Sequence, residues 1–321
     1  MIYVLDLMSR DERRHELPFF PAAPVRICWN LEQGNLPYTH AKARPGEIGG
    51  AEASKWFPPV LDETGDNLPA MLPRDELGSG SAVILLHAGI ADRTMWSESL
   101  EPLAAAGLRA IAIDLPGFGE APAATDQEAP WLDILATLDE LAIDRAFLVG
   151  SSFGGSVALR VAVTDPERVA GLALFSSLGA DRDPSPALAA AWQAEEDALE
   201  REDIDAAVQL VLDAWTLPDA PEALRNRVAV MQRRAFEIKA AAPEVPVADD
   251  PLADELDALV ALDAPALLAV GEHDMPDFHV AAEELVEALP NARRVVIPGA
   301  GHLAPLEQPE AFLSLVVGLT G

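Results

Sequence analysis

The sequence predicts an α/β fold in which a mostly parallel central sheet is flanked by helices and interrupted by a helical insertion. From residue 82 onward, short apolar runs alternate with longer segments of helical periodicity. Such alternation is typical of parallel strands joined by right-handed crossovers. Between residues 179 and 261 the alternation stops, and helical patterns follow one another. With 321 residues, half of them hydrophobic, the chain is long enough to bury a large core.

The alternating part contains six predicted strands and, in its first half, three predicted helices. The strands cover residues 82–87, 109–114, 145–150, 169–175, 266–270 and 294–297. The three helices cover residues 97–106, 128–142 and 153–164.

We divide the chain into three parts on this basis. Residues 75–178 and 262–321 form the predicted core, and residues 179–261 the insertion. Residues 1–74 form an N-terminal extension with nine prolines and one plausible strand at Val25–Trp29. Helices are predicted in the insertion at residues 187–201, 204–215, 221–239 and 252–262.

A serine lies at the sharpest predicted junction between a strand and a helix. The apolar strand ending at Val149 runs into Gly150-Ser151-Ser152-Phe153-Gly154, and a helical pattern follows. In a Gly-x-Ser-x-Gly turn the hydroxyl is lifted clear of the sheet, and the glycines allow the strand and the helix to approach closely. The pattern therefore predicts that Ser152 is a nucleophile.

An acid and a histidine follow two later strands. Asp274 comes shortly after the strand that ends at Val270, and His302 after the strand that ends at Ile297. The carboxyl ends of parallel strands lie on one edge of a sheet, so Ser152, Asp274 and His302 are expected to meet there. A serine needs a neutral imidazole as base, and the imidazole needs a buried carboxylate to fix its tautomer. Asp277 is the rival acid, but it lies deeper in the following segment.

The order Ser152, Asp274, His302 resembles the α/β-hydrolase superfamily. Two further landmarks fit it: His87-Ala88-Gly89 after one strand, and Asp114-Leu115-Pro116-Gly117-Phe118-Gly119 after the next. The resemblance implies a Ser-Asp-His triad, a short hairpin near the start of the fold, and a lid domain at residues 179–261. The backbone N–H groups of Gly89 and Phe153 are the expected oxyanion-hole donors. Ala88 stands where the family commonly has glycine, which affects only the detailed loop conformation.

Candidate substrate-binding residues lie near the loop that carries the expected donor Gly89, hereafter the oxyanion loop, and in the insertion. Apolar side chains recur there at near-helical spacing, and each can either pack the insertion onto the core or line a pocket. Trp96 has the same two alternatives. The candidates are Ile90, Trp96, Trp192, Trp215 and Met231.

Composition excludes several classes of function. The formal net charge of −31 argues against binding nucleic acid or anionic lipid through a basic surface. No 18-residue apolar run and no secretory signal pattern is present, so a cytoplasmic protein that binds no membrane is expected. Cys28 is the single cysteine, which rules out an intramolecular disulfide. The acidity fits either a salt-adapted host or a GC-rich genome, and the sequence does not separate them.

The sequence predicts a cofactor-independent serine hydrolase that cleaves a small or medium neutral ester, lactone or related carbonyl compound through an acyl-enzyme. No metal-ligand spacing and no dinucleotide-binding glycine motif is present, so neither a metal nor a cofactor is expected. The expected partner is a small-molecule substrate; the oligomeric state is left open. Two alternatives stay open: a carbon–carbon bond hydrolase or perhydrolase that uses the same triad, and a non-catalytic ligand-binding protein with the hydrolase fold.

Overall fold

The computed structural model describes residues 71–179, 183–252 and 257–321. The strand predicted at Val25–Trp29 and the single cysteine, Cys28, lie outside these residues. So do residues 253–256 of the helix predicted over 252–262. In the part of the chain that the structure describes, no helix combines the length and the hydrophobicity needed to cross a bilayer.

The described strands form one seven-stranded sheet. The strands are β1 Arg74–Gly78, β2 Ser81–Leu86, β3 Leu108–Ile113, β4 Ala146–Ser151, β5 Val169–Phe175, β6 Ala266–Gly271 and β7 Ala292–Ile297. Their order in the sheet is β1-β3-β2-β4-β5-β6-β7. All neighbouring strands are parallel except β1, which pairs with β3 in the antiparallel direction. This confirms the predicted α/β fold with a mostly parallel sheet.

Helices follow most of the strands, as expected for crossover connections. The helices are α1 Ser97–Ala105, α2 Pro130–Glu140, α3 Phe153–Thr164, α4 Pro186–Glu200, α5 Ile204–Trp215, α6 Glu222–Ala240, α7 Asp257–Val260, α8 Pro276–Ala288, α9 Ala304–Glu307 and α10 Pro309–Thr320. Those that pack on the sheet include α1 against β3, α3 against β4 and β5, and α8 against β6 and β7.

Strand β1 straddles the predicted boundary between the extension and the core. Its sequence, Arg-Asp-Glu-Leu-Gly, has no alternation of apolar and polar residues, and its side chains are half-buried or exposed. An edge strand with one neighbour buries little surface and leaves no apolar pattern in the sequence. Within the described residues, the sheet begins at Arg74.

The core is built from the apolar central strands and an aromatic group beneath the oxyanion loop. Trp96 ends a short 3-10 helix, Arg93–Trp96, and stacks on Phe312 with ring centroids 5.2 Å apart. Phe312 also contacts Phe175 at 5.1 Å. All three side chains are fully buried. This packing fixes the loop that connects β2 to α1.

Helices α4, α5 and α6, hereafter the helical segment, lie between β5 and β6 in the chain, within the predicted insertion. Each packs on the next. Its start is tied to the core by Asp277, whose two carboxylate oxygens accept hydrogen bonds from the N–H and the hydroxyl of Ser185, both at 2.7 Å. Ser185 in turn caps α4. The rival acid of the sequence analysis thus anchors the first helix of this segment.

Candidate active site

Ser152 occupies a strained turn between β4 and α3. Its backbone has φ 50° and ψ −114°, a conformation that residues other than glycine rarely adopt. The Ser152 N–H donates to the Phe175 carbonyl at 2.8 Å. The two flanking glycines are required because a side chain would clash with the backbone. A Cβ on Gly150 would lie 2.4 Å from the Gly154 carbonyl oxygen, and a Cβ on Gly154 would lie 2.2 Å from the Leu86 carbonyl oxygen. The turn therefore presents the Ser152 side chain at the end of the strand.

The loops that carry Asp274 and His302 are bonded to each other. The N–H of Glu272 donates to the Ile297 carbonyl at 3.0 Å, and that of His273 to the Ala300 carbonyl at 2.9 Å. Both loops follow neighbouring parallel strands, β6 and β7, so their residues face the same edge of the sheet. Backbone bonding thus holds the acid and the histidine side by side.

The structure brings Ser152, His302 and Asp274 into one hydrogen-bonded chain. His302 Nε2 lies 2.9 Å from Ser152 Oγ, and His302 Nδ1 lies 3.0 Å from Asp274 Oδ1 and 3.2 Å from Oδ2. The side chains of His302 and Asp274 are 5% and 1% exposed. The first distance allows a proton to pass from Ser152 to His302, and the others allow Asp274 to hold the ring by hydrogen bonds.

The protonation state follows from the environment of Asp274. Burial by itself raises the pKa of this carboxyl, but the His302 ring, the Ser176 hydroxyl and the Met275 N–H together bring its pKa below the ordinary value. Asp274 is therefore ionised at neutral pH and can only accept hydrogen bonds. His302 Nδ1 then carries the proton, and Nε2 is left to accept the Ser152 hydroxyl.

Two aromatic side chains enclose the His302 ring. Trp215, at the end of α5, and Phe278, in α8, each lie with their ring centroids 4.5 Å from that of His302. Trp215, a candidate either to line a substrate pocket or to pack the insertion, is buried and packs on the histidine. The role of Phe278 was missed, because nothing in its local sequence sets it apart from other core aromatics in a helix. The two rings limit the orientations open to the imidazole.

The expected oxyanion donors are close together in space. Phe153 is the first residue of α3, at the positive end of the helix dipole. A Cβ built on Gly89 would lie 3.3 Å from the Phe153 Cβ, so the two backbones are neighbours. Because Phe153 directly follows Ser152 in the chain, the backbone of Gly89 also lies near the serine turn.

His87, the other buried histidine near this edge in the described residues, is bonded to backbone groups. Its Nδ1 donates to the Ala88 carbonyl at 2.8 Å, and its Nε2 accepts from the Leu115 N–H at 3.0 Å. Complete burial lowers the pKa of His87, so the ring is neutral. It links the oxyanion loop to the loop after β3.

Asp114 stabilises the loop after β3 from within. Its fully buried carboxylate accepts hydrogen bonds from the N–H of Arg93 at 2.7 Å and of Glu120 at 2.8 Å, and it forms an ion pair with the Arg93 guanidinium. A buried carboxylate surrounded by such donors is structural.

The remaining candidate residues are packed to different degrees. Trp96 is fully buried in the core, which favours packing over the pocket alternative. Ile90 is also buried, in the oxyanion loop. Trp192 is half-buried and packs against the core cluster. Met231 is buried, with its Sδ 3.5 Å from Thr94 Oγ1.

The helical segment contacts three loops at the edge of the sheet where Ser152 lies. Trp215 packs on His302, as described above. Met231 reaches Thr94 after β2, and the Lys239 ammonium lies 3.7 Å from the centre of the Phe118 ring after β3. The Phe118 ring is itself 5.9 Å from that of Phe153. Among the described residues, no group of three or more metal-ligating side chains forms a metal site.

A model of the alpha/beta hydrolase family matches residues 83–315 of the chain. The 2-hydroxy-6-oxo-6-phenylhexa-2,4-dienoate hydrolase of Burkholderia cepacia is 30% identical over 261 residues, which cover 76% of this chain and 88% of that protein. The dihydrolipoyllysine-residue acetyltransferase component of the acetoin cleaving system of Pseudomonas putida is 40% identical over 136 residues, which cover 41% of this chain and 36% of that protein.

A solved structure is similar over most of the chain. A thermophilic esterase from Thermogutta terrifontis aligns with a TM-score of 0.65 and 29% identity, covering 78% of this chain and 92% of that one. The family match, which spans more than half of the chain, confirms the resemblance drawn from the sequence motifs. The chain belongs to the alpha/beta hydrolase family and is a hydrolase.

Proposed function

We propose that this hydrolase uses Ser152 as a nucleophile and cleaves a small or medium neutral ester, lactone or related carbonyl compound through an acyl-enzyme. The observation that carries the proposal is the unbroken chain from Ser152 Oγ through His302 to the buried Asp274, with distances of 2.9 and 3.0 Å. Such a chain activates a serine that is otherwise a weak nucleophile.

In the first half of the reaction, Ser152 Oγ attacks the substrate carbonyl while His302 Nε2 takes its proton. The imidazolium that forms is stabilised by the ionised Asp274 at Nδ1. The negative oxygen of the tetrahedral intermediate is bound by the N–H groups of Gly89 and Phe153. His302 then gives its proton to the leaving alkoxide, the carbonyl–oxygen bond breaks, and an acyl-Ser152 ester remains.

In the second half, water replaces the alcohol. His302 Nε2 removes a proton from the water, the resulting hydroxide attacks the acyl carbon, and Ser152 Oγ leaves with the proton that His302 returns. The products are a carboxylic acid, an alcohol and the unchanged enzyme. Apart from water, every group that takes part in this mechanism belongs to the chain or to the substrate.

The helical segment is proposed to act as a lid that sets substrate preference. Its contacts with the His302 loop and with the loops after β2 and β3 support this role, because a substrate at Ser152 would lie among those loops. Of the candidate residues in the segment, the half-buried Trp192 retains the most surface with which to line a pocket.

Carbon–carbon bond hydrolysis with the same triad is the second candidate. It is favoured by the Burkholderia cepacia relative, which is named a dienoate hydrolase and matches three quarters of this chain. The same nucleophile, base and oxyanion donors would serve either reaction, so the triad alone does not choose between them. The choice depends on the leaving group that the pocket accommodates.

The test combines active-site labelling with a substrate panel. A fluorophosphonate should label the native protein on Ser152 and leave Ser152→Ala unlabelled. Ser151→Ala is the matched control, because its hydroxyl is also buried beside the turn yet makes no hydrogen bond within the described residues. Labelling that persists in Ser152→Ala would disprove the assignment.

The panel then separates the two reactions. p-Nitrophenyl esters of graded chain length test ester cleavage, and a 2-hydroxy-6-oxo-6-phenylhexa-2,4-dienoate tests carbon–carbon cleavage by loss of its absorbance. Turnover of the dienoate with kcat/KM at least about tenfold above the best ester would favour the second candidate. The reverse ratio would favour the first.

A further inference from the structure

A second carboxylate, Glu307, lies next to the His302 loop. Glu307 is the last residue of the short helix α9, five residues after His302. Its Oε2 accepts a hydrogen bond from the N–H of Gly301, the residue immediately before His302, at 2.6 Å. The other oxygen, Oε1, is shielded from solvent.

The charge on Glu307 is poorly solvated and lies within electrostatic reach of His302. Burial, with a smaller contribution from the Asp274 charge, raises the pKa of Glu307 above its ordinary value, and the N–H groups of Gly301 and Leu217 and the charge of His302 only partly oppose that rise. A carboxylate at such a position interacts more strongly with a neighbouring charge than an exposed one does, because water screens it less. The Glu307 carboxylate thus places a negative charge next to the loop that carries His302.

Glu272 gives an internal comparison within the same loop. Its Oε2 accepts from the N–H of Gly299 at 2.9 Å, so the loop is bonded to one carboxylate on each side. The Glu272 side chain is 52% exposed, however, and its charge is screened by solvent. The two glutamates thus make the same type of backbone bond with different electrostatic consequences.

We propose that Glu307 is a positioning residue for the hydrolase reaction: it fixes His302 through the Gly301 N–H and supplies, with Asp274, a second negative charge that stabilises the imidazolium. The charged and aromatic groups around His302 in the described residues are Asp274, Glu307, Trp215 and Phe278. The inference rests on the proposed function, because it assumes that His302 is the base.

The Leu217 side chain packs closely against Gly301 and leaves little space for a side chain there. A Cβ on Gly301 would lie 2.9 Å from the Leu217 Cδ2 and 3.3 Å from Glu307 Oε1. Leu217 follows helix α5, so the residue before His302 is held between the helical segment and Glu307. Loss of the Glu307 bond would leave the Gly301 N–H without its acceptor and free the backbone that carries the histidine.

The test compares the pH profile of kcat/KM in the native protein, Glu307→Gln and Glu272→Gln. Glutamine keeps an oxygen that can accept from Gly301 and removes the charge. We expect the midpoint of the acid limb in Glu307→Gln to move to lower pH by about half a unit, with plateau kcat reduced by no more than about threefold. Glu272→Gln should stay within about 0.2 unit of the native midpoint.

A second variant tests the positioning role. Glu307→Leu removes the acceptor at similar volume, and we expect kcat to fall at least about tenfold while KM changes by less than about twofold. If this variant fails to fold, Glu307→Gln still decides the question. Superimposable profiles for Glu307→Gln and the native protein, or equal shifts for both glutamine variants, would overturn the inference.

The outcome is separable from that of the proposed function. If the native protein turns over esters and the Glu307→Gln profile is unchanged, only the role of Glu307 fails. If no substrate is turned over, the titration midpoint of the His302 ring, followed by proton–nitrogen NMR, gives the same comparison without catalysis. A midpoint lower in Glu307→Gln than in the native protein supports the inference, and an unchanged midpoint overturns it.

Discussion

Two buried histidines at the same edge of the sheet, His87 and His302, differ in the groups that surround them. His87 is bonded to the carbonyl of Ala88 and the N–H of Leu115. His302 is bonded to the side chains of Asp274 and Ser152. Both rings are buried and both use both nitrogens.

The comparison teaches that the partners of a buried histidine decide what it can do. Backbone partners of His87 cannot gain or lose a proton, and complete burial keeps that ring neutral. The His302 ring lies between an ionised acid that stabilises its cation and a hydroxyl that can supply the proton. We therefore propose a structural role for His87 and a catalytic role for His302.

The largest expected effect comes from removing the base. His302→Ala should lower kcat by about 10⁴-fold or more, because members of a triad act as a unit. Steady-state assays of one p-nitrophenyl ester measure this, with folding checked by circular dichroism. Turnover above about 1% of native would point to another base, with His87 the first candidate to examine.

The second prediction separates the two acids. Asp274→Asn should reduce kcat by about 10⁴-fold through the wrong imidazole tautomer. Asp277→Asn should instead weaken the bonds to Ser185 and lower the free energy of unfolding by about 1–2 kcal/mol, with kcat within about tenfold of native. Urea titration and ester assays on both variants give the ranking, and the opposite ranking would make Asp277 the acid.

The third prediction sharpens the assignment of His87. His87→Leu leaves the buried Leu115 N–H without its acceptor, so the free energy of unfolding should fall by about 1–3 kcal/mol. The kcat of the folded fraction should drop less than about tenfold, against the far larger loss in His302→Ala. An equally large loss of kcat in a stably folded His87→Leu would end the distinction between the two rings.

The smallest expected effect is on the pH dependence of stability. Because the pKa of His87 is lower in the folded protein than its ordinary 6.5, the unfolded chain binds the proton more readily. Its neutral form is fully accommodated above pH 6.5, and stability falls as the pH drops below that value. His87→Asn should show a shallower fall between pH 6.5 and 5 in urea titrations; parallel curves would refute the buried neutral ring.

Asp274 contributes in a lower pH range. Its folded pKa is lowered below its ordinary value, so its contribution to stability is present above that value and is lost as the pH falls through the folded one. Folding stability is therefore lost in one pH range through protonation of His87 and in a lower pH range through protonation of Asp274.

Much of the fold and the meeting of Ser152, Asp274 and His302 could be predicted because they depend on local patterns. Each of Ser152, Asp274 and His302 follows an apolar run that ends in glycine, and parallel strands bring such ends together. The strand bounds found in the structure differ from the predicted ones by two residues or fewer. Strand β1 was not recognised, because an exposed edge strand carries no apolar alternation.

The supporting contacts could not be predicted, because they join residues far apart in the chain. Trp215 was considered for a pocket or for packing, yet it lies on the His302 ring 87 positions later, a contact that depends on the path of α5. Asp277 was weighed as an acid, and its bonds run to Ser185, 92 positions away. Periodicity reports which face of a helix is buried but not which residue covers it.

The strained backbone of Ser152, the proposed nucleophile, lowers the stability of the fold. A residue with a side chain held at φ 50° and ψ −114° costs about 1–3 kcal/mol, and glycine would relieve most of it. Ser152→Gly should therefore melt at a higher temperature than the native protein while losing the nucleophile. A screen that selects only for thermal stability, and does not measure turnover, would therefore favour inactive variants at this position.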